Sequence, residues 1–268
     1  MKFKYLVMLI FFKLNCIKID RVILSTDNNP LYIEFWPIVA KVWKEYIGVQ
    51  PTLALIATKD VKIDETVGQV IRFEPIKGIP IALQAQCMRL ILPAFFEDDV
   101  CIISDIDMIP LNKQYFLDTI KDFADDSFVI YKNGYYEAHR HTGLLPMCYN
   151  VSKGKNFKEI FEIKDPKDIK EIEEKIIYWS SLNWGWSTDE RMLNKYVTNW
   201  KHYKDKCIKL GHYDDRRIDR IHWHYDANGV RNGSYVDAHC LRPYSLYKKV
   251  IDDMVNLLFE SRKDEKKS

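Results

Sequence analysis

Asp99-Val-Cys-Ile-Ile-Ser-Asp-Ile-Asp-Met-Ile-Pro-Leu111 is the stretch whose reading decides the fold of this chain. Val100 to Ile103 is an apolar run without polar alternation, the pattern of a strand covered on both faces in a mostly parallel sheet. Ser104 closes the run, and two carboxylates follow, Asp105 and Asp107. Side chains two apart on a strand share a face, so the pair is expected side by side. Such a pair repels unless a cation lies between its members. Hard divalent ions, Mg²⁺ or Mn²⁺, take oxygen ligands of this kind together with substrate phosphates. Pro110 cannot donate to a ladder and is expected to end the strand. The plainer alternative is a capped strand end with two solvated aspartates. Buried strand, carboxylate pair and proline stop agree with one another and favour the metal reading.

Upstream of this stretch the pattern is strand then helix, repeated. Arg21 to Ser25 reads as a short strand running into the polar turn Thr26-Asp27-Asn28-Asn29. Pro30 sits where a first helical position would be, and Phe35, Ile38, Val39, Val42 and Trp43 recur with helical spacing. Thr52 to Ala57 and Val70 to Phe73 read as further strands, and Ile81 to Phe96 as a helix broken by Pro93. Alternation of this kind implies a doubly wound α/β sheet with right-handed crossovers. Ligands of such sheets bind beyond the carboxyl ends of the strands, where Asp105 and Asp107 fall.

Downstream the pattern loosens. Ser127 to Tyr131 and Met147 to Val151 read as strands, and Phe157 to Ile163 as a helical turn or two. A charged helix is expected from Pro166 to about Tyr178. Ser187-Thr188-Asp189-Glu190 reads as a helix start, with a capping residue and early acids. Lys204 to Pro243 reads as a loop-rich region holding most of the histidines, and Leu246 to Phe259 as an amphipathic helix before a charged tail.

A chain of 268 residues with 47% hydrophobic content can bury a substantial core. The net charge of +2 comes from interleaved acids and bases, which gives no reason to invoke nucleic acid. The six cysteines are scattered, with no C-x-x-C pair and no zinc-ligand spacing, so they read as reduced thiols and favour a reducing, cytoplasmic compartment. Against this stands the apolar block from Tyr5 to Phe12 after Lys2 and Lys4. It is too short to span a bilayer and offers no firm membrane evidence, but it resembles the h-region of a secretory signal. The expected organisation is a leader or extra strand over 1–18, a single domain over 19–245, and a C-terminal helix with its tail over 246–268.

The order of elements resembles the GT-A glycosyltransferases, in particular the glycogenin-like and galactosyltransferase-like branch. The residues that carry the resemblance are Arg89-Leu90-Ile91-Leu92-Pro93 leading into Val100 to Leu111. Tyr149-Asn150-Val151, Asp189-Glu190-Arg191-Met192-Leu193-Asn194, and His239 near Arg242-Pro243-Tyr244 follow in the family's order. The chain departs from the branch in three ways. Glu190 stands where the family has Gln, Arg242-Pro243-Tyr244 replaces Lys-Pro-Trp, and His239 lies closer to that segment than usual, which keeps His222 and His224 as alternative metal ligands. The resemblance implies a mostly parallel Rossmann-like sheet with helices on both faces. It also implies transfer of a sugar, with retention, from a nucleotide-diphosphate donor, UDP being the commonest base, to a saccharide or other hydroxyl acceptor.

On that resemblance Asp105, Asp107 and His239 would hold Mn²⁺ or Mg²⁺, and Arg242 would meet the diphosphate. Thr26, Asp27 and Tyr32 would meet the nucleotide base, Arg89 the donor sugar or the aspartates, and Asp189 would orient the acceptor or act as base. His222-Trp223-His224 would offer the acceptor an aromatic face. Two other classes compete: a sugar-nucleotide binder without turnover, and a phosphohydrolase of the haloacid dehalogenase type. Ile109 at the Thr/Val position of the latter's loop, and aspartates after a fourth strand instead of a first, count against the phosphohydrolase.

Overall fold

The computed structural model describes residues 16–134, 143–211 and 216–265, without the side chains of 261–265. The apolar block from Tyr5 to Phe12 and most of the 1–18 segment therefore lie outside the described residues. Seven strands form one sheet in the order β3-β2-β1-β4-β7-β6-β8. They are β1 (Arg21–Asp27), β2 (Gln50–Ile56), β3 (Gln69–Phe73), β4 (Val100–Ile103), β6 (Phe128–Ile130), β7 (Asn150–Lys153) and β8 (Cys207–Lys209). The β3-β2-β1-β4 block is parallel throughout, and β7 alone runs against its neighbours β4 and β6.

Both faces of this sheet are covered, and the strand residues alternate between two cores. Val22 and Leu24 of β1, with Val100 and Ile102 of β4, join a cluster with Trp36, Trp43, Phe116, Met254 and Leu258. Ile23, Cys101 and Ile103 point the other way, into a cluster with Met88, Leu90, Phe157, Trp179 and Leu193. The first face is closed by helices Trp36–Lys41 and Lys113–Leu117 and by the C-terminal helix Tyr244–Glu265. The second is closed by helices Ile81–Ile91, Gly154–Ile160, Ile169–Ser181 and Thr188–Asn199. This double burial is why β4 shows no polar alternation. The α/β architecture with helices on both faces is the one expected from the sequence.

A second sheet of three strands, β5 (Met108–Pro110), β10 (Asp237–His239) and β9 (Arg217–Asp219), stands beyond the end of β4 in the order β5-β10-β9. Its register explains why it forms. Ala238 lies opposite both Ile109 and Ile218, and all three are buried. On the other face Asp237 lies opposite Arg217, an opposite-charge pair, and His239 lies opposite Asp219, a polar pair across the strands.

The structure corrects several sequence expectations. Pro110 does end a strand, but that strand is β5, a separate edge strand where a missing N–H costs no ladder bond, and β4 has already ended at Ile103. Asp105 and Asp107 do not share one strand face. The chain turns at Ile106 between the end of β4 and the start of β5, with the Met108 amide donating to the Asp105 carbonyl at 3.3 Å. The strand expected over Met147 to Val151 begins only at Asn150. The region from Lys204 to Pro243 contains β8, β9, β10 and a helix at Ala227–Arg231.

The described cysteines form no disulfide. Among the described residues no helix is long and apolar enough to cross a membrane.

Candidate active site

A cavity of about 660 Å³ opens where β1 and β4 end and the three-stranded sheet begins. Thr26, Asp27, Tyr32, Arg89, Asp105, Asp107, Asp189, His239 and Arg242, the residues singled out from the sequence, all line it. His222 and His224 do not, and both are exposed. Trp223 is half-buried against the first core cluster. The side of the cavity expected to be aromatic through His222-Trp223-His224 is instead edged by Ile221, because that short helical turn packs its tryptophan inward.

Three chain segments build the first wall. Ser25 at the end of β1 donates to the Ala85 carbonyl at 2.5 Å, which ties that strand to the helix Ile81–Ile91. Along this helix Ala82, Ala85, Gln86 and Arg89 recur at helical spacing and face the cavity. Asp27 accepts from the Asn29 amide at 3.0 Å, and Asn29 caps the turn that carries Tyr32. Asn150 is fully buried, and its side-chain amide donates to the Pro146 and Met147 carbonyls at 2.8 and 3.0 Å. That pins the segment leading to Cys148 against the end of β4.

Charge divides the floor into two clusters. In the first, the Arg89 guanidinium bridges Asp105 and Asp189. Asp189 is buried in the first turn of the helix Thr188–Asn199, where a carboxylate is favoured by the helix dipole. Its second oxygen accepts from the Glu190 amide at 2.9 Å. The Cys148 thiol donates to Asp105 Oδ2 at 2.9 Å, and burial pushes that thiol up to about 12, so it stays protonated at neutral pH and can donate.

In the second cluster, Asp107 Oδ2 is buried and makes no hydrogen bond. Three basic groups face it: Arg220 Nη1 at 3.1 Å, His239 Nε2 at 3.7 Å and Arg242 Nη1 at 3.7 Å. Burial lowers the His239 pKa below the usual histidine range, nearby Arg220 and Arg217 add to this, and Asp107 and Asp219 oppose it. The ring is therefore neutral at pH 7, with Nδ1 3.4 Å from Asp219 and Nε2 turned to Asp107. Arg242 also stacks over Tyr32 at 4.8 Å from its centroid, so one face of that ring is already covered.

This donor set fits a divalent ion. A buried unsatisfied carboxylate oxygen and a neutral imidazole oriented by a carboxylate are of the chemical kind that metal ligands and their supporting partners have. Among the described residues no three His, Cys, Asp or Glu side chains converge on one point. Mg²⁺-type ions are ordinarily held by one or two carboxylates plus substrate phosphates, so a preformed cage is not required.

Reasoning from sequence missed Arg217, Arg220, Lys132, Cys148 and Trp186, all of which line the cavity. The alternation Arg217-Ile218-Asp219, with the buried Ile218 between two charged residues, is a strand pattern too short to stand out in the sequence. Cys148 and Trp186 carry no such signal. Trp186 stands 67% exposed at the cavity mouth, and its backbone carbonyl is held by Gln86 at 3.0 Å.

Comparison with solved structures identifies the fold. The galactosyltransferase LgtC in complex with donor and acceptor sugar analogues aligns over 90% of this chain and 95% of that one, with a TM-score of 0.51 and 10% identity. An active-site variant of LgtC aligns over 82% and 86% at a TM-score of 0.48 and 12% identity. The apo bifunctional glycosyltransferase WbbM aligns over 91% of this chain and 51% of its own, at 0.42 and 9%. No family model and no curated protein matches the sequence. The likeness to LgtC is one of fold, and the fold is GT-A.

Proposed function

We infer that this chain is a glycosyltransferase that moves a sugar from a nucleotide-diphosphate donor, a UDP-sugar, to a saccharide or other hydroxyl acceptor, with retention at the anomeric carbon. The observation that carries the reading is Asp107 Oδ2, a buried carboxylate oxygen without a hydrogen bond, faced by three basic side chains at the carboxyl ends of a parallel sheet. Breaking a glycosidic bond to a diphosphate builds negative charge on the leaving group, and fixed cations aimed at that charge lower the barrier. Arg242 and Arg220 supply such cations, and guanidinium forks match phosphate oxygens two at a time.

Asp105, Asp107 and His239 would hold Mn²⁺ or Mg²⁺, which when bound supplies Lewis-acid neutralisation of the diphosphate. For Asp105 this requires exchange of its contacts to Arg89 and Cys148. Thr26 and Asp27, at the end of β1, and Tyr32, in the helical turn after it, receive the base. Arg89 fixes Asp189, so Asp189 positions the reacting hydroxyl. Both of its oxygens already accept, one from Arg89 and one from the Glu190 amide, which is a poor state for a general base and favours retention over inversion. The acceptor enters past Trp186 and Ile221, two exposed apolar side chains at the mouth.

The test is a panel of nucleotide-sugars with Mn²⁺, followed by donor consumption and by proton NMR of the product's anomeric configuration. Turnover of a UDP-sugar by the wild type, abolished in Asp107→Ala, supports the reading. Donor binding without turnover against any acceptor or water would favour a sugar-nucleotide binder instead.

A further inference from the structure

Arg220 and Asp107 are an ill-matched pair. Their facing atoms lie 3.1 Å apart, both are buried, and neither makes an aligned hydrogen bond. The backbone that carries Arg220 is fixed: it follows β9 directly, and Asp219 Oδ1 accepts from the Ile221 amide at 2.9 Å. The long side chain is therefore the part able to move. It stands at the oxygen that His239 Nε2 also faces, the place a bound cation would take.

We propose that Arg220 is the free protein's own counter-cation for Asp107, that it yields this place to a divalent ion, and that it then transfers to the donor's diphosphate. The inference rests on the sugar-nucleotide reading given above. Without Arg220 the buried Asp107 oxygen would be left with a neutral imidazole and the more distant Arg242 guanidinium, both at 3.7 Å, and removing the nearest partner of a buried charge is costly. A guanidinium and a divalent ion cannot both sit on one oxygen, since like charges at that separation repel strongly. Loading the ion alone strands Arg220, whereas loading it with a diphosphate gives the fork two new oxygens. Ion and nucleotide are thereby coupled, and the coupling is the same whichever binds first.

The experiment measures Mn²⁺ binding to the full chain by electron paramagnetic resonance of the free ion, with and without UDP, in wild type, Arg220→Gln and Arg220→Lys. In the wild type UDP should tighten Mn²⁺ about tenfold or more, within the usual span for coupled sites. Arg220→Gln should bind Mn²⁺ alone about tenfold tighter than wild type while losing most of the UDP-dependent gain. Arg220→Lys keeps the competing charge without the fork, so Mn²⁺ alone should bind as in wild type and UDP more weakly. Should Arg220→Gln fail to fold, the lysine variant decides. Tighter Mn²⁺ binding by Arg220→Lys, or unchanged UDP affinity, overturns the proposal. Unchanged Mn²⁺ affinity in a folded Arg220→Gln also overturns it and leaves the transferase reading intact. A wild type that binds neither Mn²⁺ nor UDP, singly or together, removes that reading and the inference with it.

Discussion

The two sheets are held together by different forces. The seven-stranded sheet is buried on both faces in hydrocarbon, and its central strands β1 and β4 carry apolar side chains to two cores. The three-stranded sheet buries the row Ile109, Ala238 and Ile218 on one face, and on the other, beside the buried Met108 and Pro110 of β5, it sets out charge in β9 and β10. There Arg217 grips Asp237 with two bonds at 2.6 and 2.7 Å, and Tyr149 donates to the same carboxylate at 3.0 Å. Burial by itself would raise the Asp237 pKa, but Arg217 and Lys132 more than offset this and hold it below the usual carboxylate range. A scaffold built on apolar area tolerates changes of pH and charge, whereas a site built on paired charges does not.

The sharpest way to break that comparison is Asp237→Asn. It leaves the half-buried Arg217 without its counter-charge at the fully buried Asp237 position, and removing one partner of a fully buried pair costs about 3–5 kcal/mol, so a loss toward the lower end is expected. Urea unfolding should show that loss at pH 7. The sign with pH follows from the lowered pKa. The carboxylate's contribution is complete above its unfolded value of about 3.9 and is lost as pH falls through the folded value. Wild type should therefore weaken below about pH 4, and Asp237→Asn should lack this part of the decline. Equal stabilities at pH 7 would mean that the small sheet does not depend on this pair.

Asp107→Asn comes next and probes chemistry. Removing one charge aimed at a reacting group typically lowers turnover about 10²–10³-fold. Steady-state consumption of the UDP-sugar in Mn²⁺ should fall by that much, and a variant with normal turnover would displace Asp107 from the mechanism.

A third prediction concerns the hydrocarbon scaffold. Gly154 opens its helix against the backbone of Pro93 and Phe96, and a Cβ there would lie 2.0 Å from the Phe96 carbonyl oxygen. Gly154→Ala should cost about 1–3 kcal/mol or more of stability, and thermal unfolding reads it. Mn²⁺ and UDP affinities of the folded fraction should not change, since the clash lies on the far side of β4 from the cavity.

The smallest effect is expected from Trp186→Ala. A side chain this exposed should change stability by less than about 0.5 kcal/mol. The acceptor's KM should rise a few-fold, in line with the roughly 0.5–1.5 kcal/mol attached to aromatic contacts. Hydrolysis of the donor without acceptor should continue at the wild-type rate.

How much of this was legible follows the same division. The parallel block was readable because each strand's neighbours in sequence supply its neighbours in space, and the apolar runs announce double burial. Arg89 and Asp105 were readable for the same reason, as one helix leads directly into β4. The small sheet was not. β5 and β10 are joined across more than a hundred residues, and three-residue strands of mixed charge carry too little periodicity to stand out. Arg220 was missed with them, since nothing near it in sequence points to Asp107.

The order of apolar runs and polar breaks in the chain determined the α/β class, the position of the aspartates at a strand's end and the elements flanking them, because hydrophobic periodicity is a local property. Tertiary structure alone decided that Asp105 belongs with Arg89 and Cys148 while Asp107 belongs with Arg220, His239 and Arg242. Coulombic partners are chosen by distance in space, and a turn of the chain at Ile106 was enough to send two neighbouring carboxylates into different company.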